Sequence, residues 1–320
     1  MRAVLANAHA YPDDECRELC AKLAALHHIP EEQALVTAGS SALIGLLCQT
    51  LLGPGLNAVT SERSFIVYGM AVKAAGGHLL ETTMHEDGFD LGAILNAIDE
   101  HTRIVFLANP NNPTGTVLDA KTLDQFLAEI PQHVVVVLDE AYYDYAAHFA
   151  ELRQGEYSRS LDHLRHGAGV VVLRTFSKAH GLAGLRIGYG FGPAELMAYC
   201  ARIQNTFSVS SVAQAAALAA LDDSNHVKRT VLNNAAQAQF LLQGLAELGF
   251  RAIPTWANFL YCDVGREASG FASQLRELGV SVRALGVWGA PNCIRISIGT
   301  PDQNLIFLKA ARRIVENPPI

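Results

Sequence analysis

Three short polar segments, each directly after an apolar run, hold the side chains best suited to do chemistry. Asn109-Pro110-Asn111-Asn112-Pro113-Thr114-Gly115 follows the run 103–108, Asp139-Glu140-Ala141-Tyr142 follows 134–138, and Arg174-Thr175-Phe176-Ser177-Lys178 follows 169–173. They offer an amide, a carboxylate and an amine. An amine can attack a carbonyl and carry a proton, a carboxylate can hold a cationic group, and an amide can donate to an oxyanion. Eight residues past Lys178, within Gly181-Leu182-Ala183-Gly184-Leu185-Arg186-Ile187-Gly188-Tyr189, Arg186 adds a guanidinium. With Ser177 and Thr175 it suits a dianionic phosphate. Upstream, Thr37-Ala38-Gly39-Ser40-Ser41 opens a helical pattern, and a Gly/Ser turn at a helix N-terminus is an anion site. Singly, each has an ordinary reading: an Asn/Pro/Gly cluster makes a turn, an Asp after a strand caps a helix, and a Ser-Lys pair sits on a surface. Their combination, each at a strand end, points to one crevice.

The elements that must position these groups follow from periodicity. From about residue 35 to 190, apolar runs of strand length alternate with helical patterns. Strands are predicted at 57–60, 78–82, 103–108, 134–138, 169–173 and 186–191. Helices are predicted at 43–51, 66–75, 90–98 (capped by Asp90) and 119–130. Such alternation implies an α/β fold with parallel strands and crossover helices on both faces. In sheets of this kind ligands bind beyond the carboxyl ends of the strands, where the three segments lie. From Pro193 the pattern changes: helices at 195–203, 209–221 and 224–248, then strands at 258–262, 281–283 and 293–298 mixed with helices at 271–278 and 303–315. This is the pattern of a smaller α+β domain hung on a long helix. The expected division is an N-terminal segment 1–30, a large domain 31–222 and a small C-terminal domain 223–320.

Composition narrows the function classes. The chain has 320 residues, 50% hydrophobic and 17% charged, with 24 Lys+Arg against 31 Asp+Glu for a net charge of −7. That much apolar surface excludes a disordered chain, and a mildly acidic balance argues against nucleic acid as a partner. Mean hydropathy is +0.18, yet no stretch approaches the roughly 20 apolar residues that span a membrane. Residues 1–10 lack the basic and apolar regions of a signal peptide. Cys16, Cys20, Cys48, Cys200, Cys262 and Cys293 are scattered, with no Cys-x-x-Cys pair, which fits reduced thiols in the cytoplasm. No metal is expected: there is no His-Glu-x-x-His, and His163 and His166 read as a solvated helix face.

An amine, a carboxylate, an amide and a phosphate cradle together are what pyridoxal 5′-phosphate requires. Its aldehyde condenses with a lysine, and a carboxylate keeps its ring nitrogen protonated. At these residues the sequence resembles the aspartate-aminotransferase superfamily of pyridoxal-phosphate enzymes, and within it most closely the histidinol-phosphate aminotransferases. The resemblance rests on Asn112-Pro113-Thr114-Gly115, on Asp139-Glu140-Ala141-Tyr142, and on Ser177-Lys178 with Gly184-Leu185-Arg186-x-Gly188-Tyr189. It runs from Tyr11-Pro12 to Ile294-Arg295-Ile296-Ser297-Ile298-Gly299-Thr300.

The resemblance implies a large domain with a mostly parallel seven-stranded sheet, a small α+β domain, an N-terminal segment 1–30 that packs with the small domain and the dimer partner, and roles residue by residue. Lys178 condenses with the cofactor aldehyde and later moves the substrate proton. Asp139 pairs with the ring nitrogen, and Asn112 and Tyr142 hold the ring oxygen. Ser177, Arg186, Gly39, Ser40, Ser41 and Thr175 hold the phosphate, and Phe65 stacks on the ring. Tyr11 reaches the cofactor of a neighbouring subunit in a homodimer. Arg295 grips the substrate carboxylate, and with Arg283 it helps to bind a substrate phosphate. Four departures bear on the substrate. Ten residues precede Tyr11, without the Asn-Glu-Asn-Pro run that family members carry there. Ser40-Ser41 stands where Asp-Glu is common, Phe65 where tyrosine is common, and His180 where phenylalanine is common. The expected activity is transfer of an amino group from an amino acid or amino-phosphate to a 2-oxo acid such as 2-oxoglutarate, in ping-pong order. The alternatives are decarboxylation of a phosphorylated amino acid, as in threonine-phosphate decarboxylase, and cofactor binding without catalysis. A nicotinamide dehydrogenase is disfavoured, because no Gly-x-Gly-x-x-Gly follows an early strand.

Overall fold

Runs that are apolar on both faces need cover on both, and residues 135–138 and 170–173, in the strands Val135–Asp139 and Val170–Thr175, lie in the middle of the main sheet for that reason. The computed structural model describes residues 2–316. Its strands are β1 (Ala34–Thr37), β2 (Asn57–Ser61), β3 (His78–Thr82), β4 (Met84–His85), β5 (Gly88–Phe89), β6 (Thr102–Ala108), β7 (Val135–Asp139), β8 (Val170–Thr175), β9 (Gly188–Phe191), β10 (Arg251–Ala252), β11 (Phe259–Asp263), β12 (Arg283–Ala284) and β13 (Cys293–Ser297). Seven form one sheet in the order β1-β9-β8-β7-β6-β2-β3. Five of them, β3, β2, β6, β7 and β8, pair in parallel. One face of this sheet packs on the helix Ser40–Leu51 through Leu43, Ile44 and Leu47, and the other on the helix Ala120–Glu129 through Leu123 and Phe126. A second, fully antiparallel sheet, β10-β11-β13-β12, packs on the helices Ser224–Glu247, Ala268–Glu277 and Pro301–Glu316.

The fold class is the expected α/β one, with local corrections. The predicted strand 186–191 begins two residues later, because Arg186 has φ 52 and ends a short turn. β9 also runs antiparallel to β8 and β1: the link from Thr175 to Gly188 contains no crossover helix, so the chain turns back instead of returning to the same end. β1 and the helices Arg17–His27, Tyr143–Leu152 and Ser160–Arg165 were not foreseen. Within the N-terminal segment, residues 16–29 pack on the large sheet. Leu19, Leu23 and Ile29 pack with Val36, Phe176, Tyr189 and Phe191, because the inner face of the helix Arg17–His27 covers the β1–β9 edge. Asp90 caps its helix as predicted, accepting from the Ala93 N–H at 2.9 Å.

Candidate active site

The carboxyl ends of β6, β7 and β8 lie side by side, with Ala108 paired to Asp139 and Asp139 paired to Leu173. The three polar loops therefore open onto one crevice. A cavity of about 300 Å³ stands there, and of the predicted residues it brings together Ser40, Ser41, Phe65, Asn112, Asp139, Tyr142, Thr175, Ser177, Lys178, Arg186 and Arg295. Arg295 comes from β13, so the second sheet closes one wall of the site.

Each group is held by its element. Asp139 is the last residue of β7 and is 4% exposed. It caps no helix. Its Oδ1 accepts from the Ala141 N–H at 3.2 Å and its Oδ2 from the Tyr68 hydroxyl at 3.1 Å. Burial raises its pKa to about 6, against the opposing pull of Tyr68, Ala141 and Lys178. The Lys178 ammonium is pushed down, first by burial, then by Arg295 and Arg186, while Asp139 draws it back up. Its Nζ lies 5.1 Å from the centre of the Tyr142 ring, which packs edge-on against Phe259. Burial pushes the Tyr142 phenol up, so it remains a hydrogen-bond donor.

The opposite wall gathers groups suited to an anion. Gly39, at φ 89, precedes the helix Ser40–Leu51, and a Cβ at Gly188 would meet the Ser40 amide nitrogen at 2.5 Å. Glycine at 188 thus lets the helix N-terminus sit directly on β9. The Thr175 hydroxyl donates to Ser177 Oγ at 2.9 Å, and the Ser177 N–H donates to Thr175 Oγ1 at 3.1 Å. Arg186 Nη1 donates to the Ala183 carbonyl at 3.0 Å and reaches Ser177 Oγ at 3.5 Å. Helix N–H groups, hydroxyls and a guanidinium then face one point.

The Asn109–Gly115 loop is fixed from within. Asn109 bonds Leu118 in both directions, at 3.0 and 2.8 Å. The Asn111 amide donates to the Arg63 carbonyl at 3.0 Å and accepts from Ser64 Oγ at 3.0 Å, tying the loop to the segment that carries Phe65. Asn112 is buried, and its Oδ1 accepts from Arg295. Behind the site, the Arg174 guanidinium is paired to Glu140 Oε2 at 2.9 and 3.0 Å and lies 3.5 Å over the Tyr143 ring.

Three predicted residues stand apart from the cavity lining. Gly39 contributes its backbone beside Arg186. Tyr11 is 82% exposed and stacks on Phe207 at 4.5 Å. Arg283 is exposed on β12, directly opposite Arg295 in register, and its charge lowers the Arg295 pKa, although burial is the larger cause. His180 turns away from the cavity and packs against Phe176. Tyr68, which touches Asp139, was missed. It lies three residues beyond Phe65, and nothing in its local sequence separates it from an ordinary core aromatic.

The donor set fits a phosphorylated, cationic-ring cofactor: one buried carboxylate, one amine, and cations beside a helix N-terminus. The model of class I and II aminotransferases matches residues 5–310. The chain belongs to the class I and II aminotransferases. Enzymes of this family are pyridoxal-phosphate-dependent aminotransferases. This aminotransferase is 42% identical over 315 residues to histidinol-phosphate aminotransferase 2 of Pseudomonas fluorescens, covering 98% of this chain and 84% of that one. It is 40% identical to histidinol-phosphate aminotransferase of Akkermansia muciniphila, covering 97% and 83%. Among solved structures, histidinol-phosphate aminotransferase from Sinorhizobium meliloti in complex with pyridoxal 5′-phosphate superimposes with a TM-score of 0.91 at 29% identity, covering 98% of this chain and 85% of that one.

One consequence concerns the cradle of this aminotransferase. An alanine Cβ at Gly39 would lie 2.6 Å from Arg186 Nη2, on a backbone at φ 89 and ψ 153 that only glycine adopts freely. Gly39→Ala is expected to weaken pyridoxal-phosphate binding by about tenfold or more, the value of one charge-assisted hydrogen bond. Equilibrium titration of the cofactor-free protein reads this directly.

Proposed function

We propose that this aminotransferase moves the amino group of histidinol phosphate, or of a closely similar amino-phosphate, to a 2-oxo acid such as 2-oxoglutarate. The observation that carries the reading is the joint presence of Lys178, Asp139 and Arg295 in one cavity, in a chain about 40% identical to proteins named for that activity.

Pyridoxal phosphate, when bound, supplies an aldehyde that condenses with amines and a ring that accepts electrons from the substrate α-carbon. Lys178 would be the anchoring amine, Asp139 would hold the ring nitrogen, Asn112 and Tyr142 would hold the ring oxygen, and Phe65 would stack on the ring. Ser40, Ser41, Ser177, Thr175, Arg186 and the Gly39 backbone would receive the phosphate. With a pKa lowered by burial and by Arg295 and Arg186, Lys178 Nζ is suited to take the proton from the donor α-carbon and return it within the site. Arg295, now resting on Asn112, is free to exchange that amide for a substrate carboxylate or phosphate. Arg283, one strand away, extends the positive field toward a second anionic group. The two half-reactions share this one site, which supports ping-pong order.

A homodimer belongs to this reading. Tyr11 is exposed, stacked on Phe207 and absent from the lining of its own cavity, which leaves it available to a neighbouring subunit. A cytoplasmic location is supported by six free, buried thiols, and among the described residues no helix is long and apolar enough to cross a membrane. We also propose the division 31–222 and 223–320 for the large and small domains, with Asp223 capping the helix Ser224–Glu247 at the boundary.

An amine-donor screen of the loaded protein tests the reading. Histidinol phosphate is expected to bleach the yellow cofactor band in a single half-reaction, and 2-oxoglutarate to restore it. Phosphothreonine is expected to release no carbon dioxide. Bleaching by aromatic amino acids alone, or carbon dioxide release from phosphothreonine, would contradict it.

A further inference from the structure

Tyr68 is enclosed on every side, with 0% exposure. Its ring lies parallel to Phe106 at 4.5 Å and 8°, and meets Phe65 edge-on at 5.6 Å. A phenylalanine would fill that space equally well. What distinguishes a tyrosine here is the hydroxyl, and it donates to Asp139 Oδ2 at 3.1 Å. The other carboxylate oxygen has its own donor, the Ala141 N–H. Each oxygen of the buried carboxylate thus has one fixed partner, and these two bonds fix the plane of the group.

We propose that Tyr68 is a positioning residue that keeps Asp139 an oriented carboxylate, so that the proton shared with the cofactor ring resides on the ring nitrogen and not on Asp139. The inference rests on the reading of the site as a pyridoxal-phosphate site. Burial favours the neutral acid at Asp139, and the Tyr68 hydrogen bond opposes that. The phenol itself is held well above its ordinary pKa by burial and by the adjacent carboxylate. It therefore stays protonated and acts only as a donor to Asp139. Removing the hydroxyl makes Asp139 more basic, and the shared proton moves from ring to carboxyl.

The test compares Tyr68→Phe with the unaltered protein, both loaded with ring-¹⁵N pyridoxal phosphate. The variant is expected to move the ¹⁵N resonance toward its unprotonated position and to raise the cofactor dissociation constant about tenfold, as loss of a hydrogen bond to a charged group does. 3-Fluorotyrosine at position 68, a stronger donor, is expected to move the resonance the other way. Phe106→Leu, which removes the stacking partner but keeps the hydroxyl, is expected to lower the thermal midpoint and leave the resonance in place. If Tyr68→Phe leaves both resonance and dissociation constant unchanged, or Phe106→Leu shifts the resonance equally, Tyr68 only fills space and the inference falls. If the unaltered protein fails to bind pyridoxal phosphate, the reading of the site falls and takes this inference with it.

Discussion

Lys178→Ala is expected to abolish turnover, lowering kcat by at least about 10⁴-fold, the upper range for loss of a positioned acid–base group. The reasoning starts from the position of the amine. Lys178 lies in the loop after β8 and projects into the same cavity as Asp139, Arg186 and Arg295. Burial and the two guanidinium groups destabilise its charged form, so a larger share of the amine is free base than on a surface lysine. The two cations that act on it are arginines, which do not give up protons, and among the described residues no other lysine lines the cavity. Nothing nearby inherits the proton transfer. The cradle of Ser40, Ser177 and Arg186 is untouched, so the variant is expected to retain cofactor while losing activity. Steady-state rates with histidinol phosphate, beside the ratio of bound cofactor to protein, check both halves. Activity within tenfold of the unaltered enzyme would place the reacting amine elsewhere.

Asp139→Asn is expected to reduce kcat by about 10²–10³-fold, the usual cost of removing one preorganised electrostatic partner. The substitution keeps volume and shape, so it isolates charge. Among the described residues the carboxylate is the only acidic group lining the cavity, it is 4% exposed, and an amide there cannot stabilise a protonated ring. One amide oxygen still accepts from Tyr68 or from Ala141, so β7 keeps its end and the variant is expected to fold. A raised KM with kcat unchanged would show that Asp139 serves binding alone, contrary to its assigned role. Single-turnover rates on the loaded variant separate the two cases.

That these groups share one cavity was legible in the sequence because they lie in contiguous loops. Asn112, Asp139 and Lys178 each follow a run that can only be a buried strand, and parallel strands put such loops at one edge. The helix N-terminus at Ser40 and the cradle around Arg186 were legible for the same local reason. Other features depend on contacts across the chain. The direction of β9 is set by what the link from Thr175 to Gly188 lacks, a crossover helix. Tyr68 reaches Asp139 across 71 residues of sequence, and Trp288 Nε1 donates to the Ser64 carbonyl at 2.8 Å across 224. Neither partner is marked by its neighbours. The exposed position of Arg283 shows a different gap: it stands opposite Arg295 in register, yet lies outside the cavity lining, because a two-residue edge strand leaves its side chain to solvent.

The central claim is that Lys178 is the residue on which pyridoxal phosphate is held. Borohydride reduction of the loaded protein, followed by peptide mass spectrometry, tests it most directly. The account predicts one stoichiometric adduct, on the peptide carrying Ser177-Lys178, with Lys22, Lys73, Lys121, Lys228 and Lys309 unmodified. A stoichiometric adduct on any of those five, or none on Lys178, would contradict it.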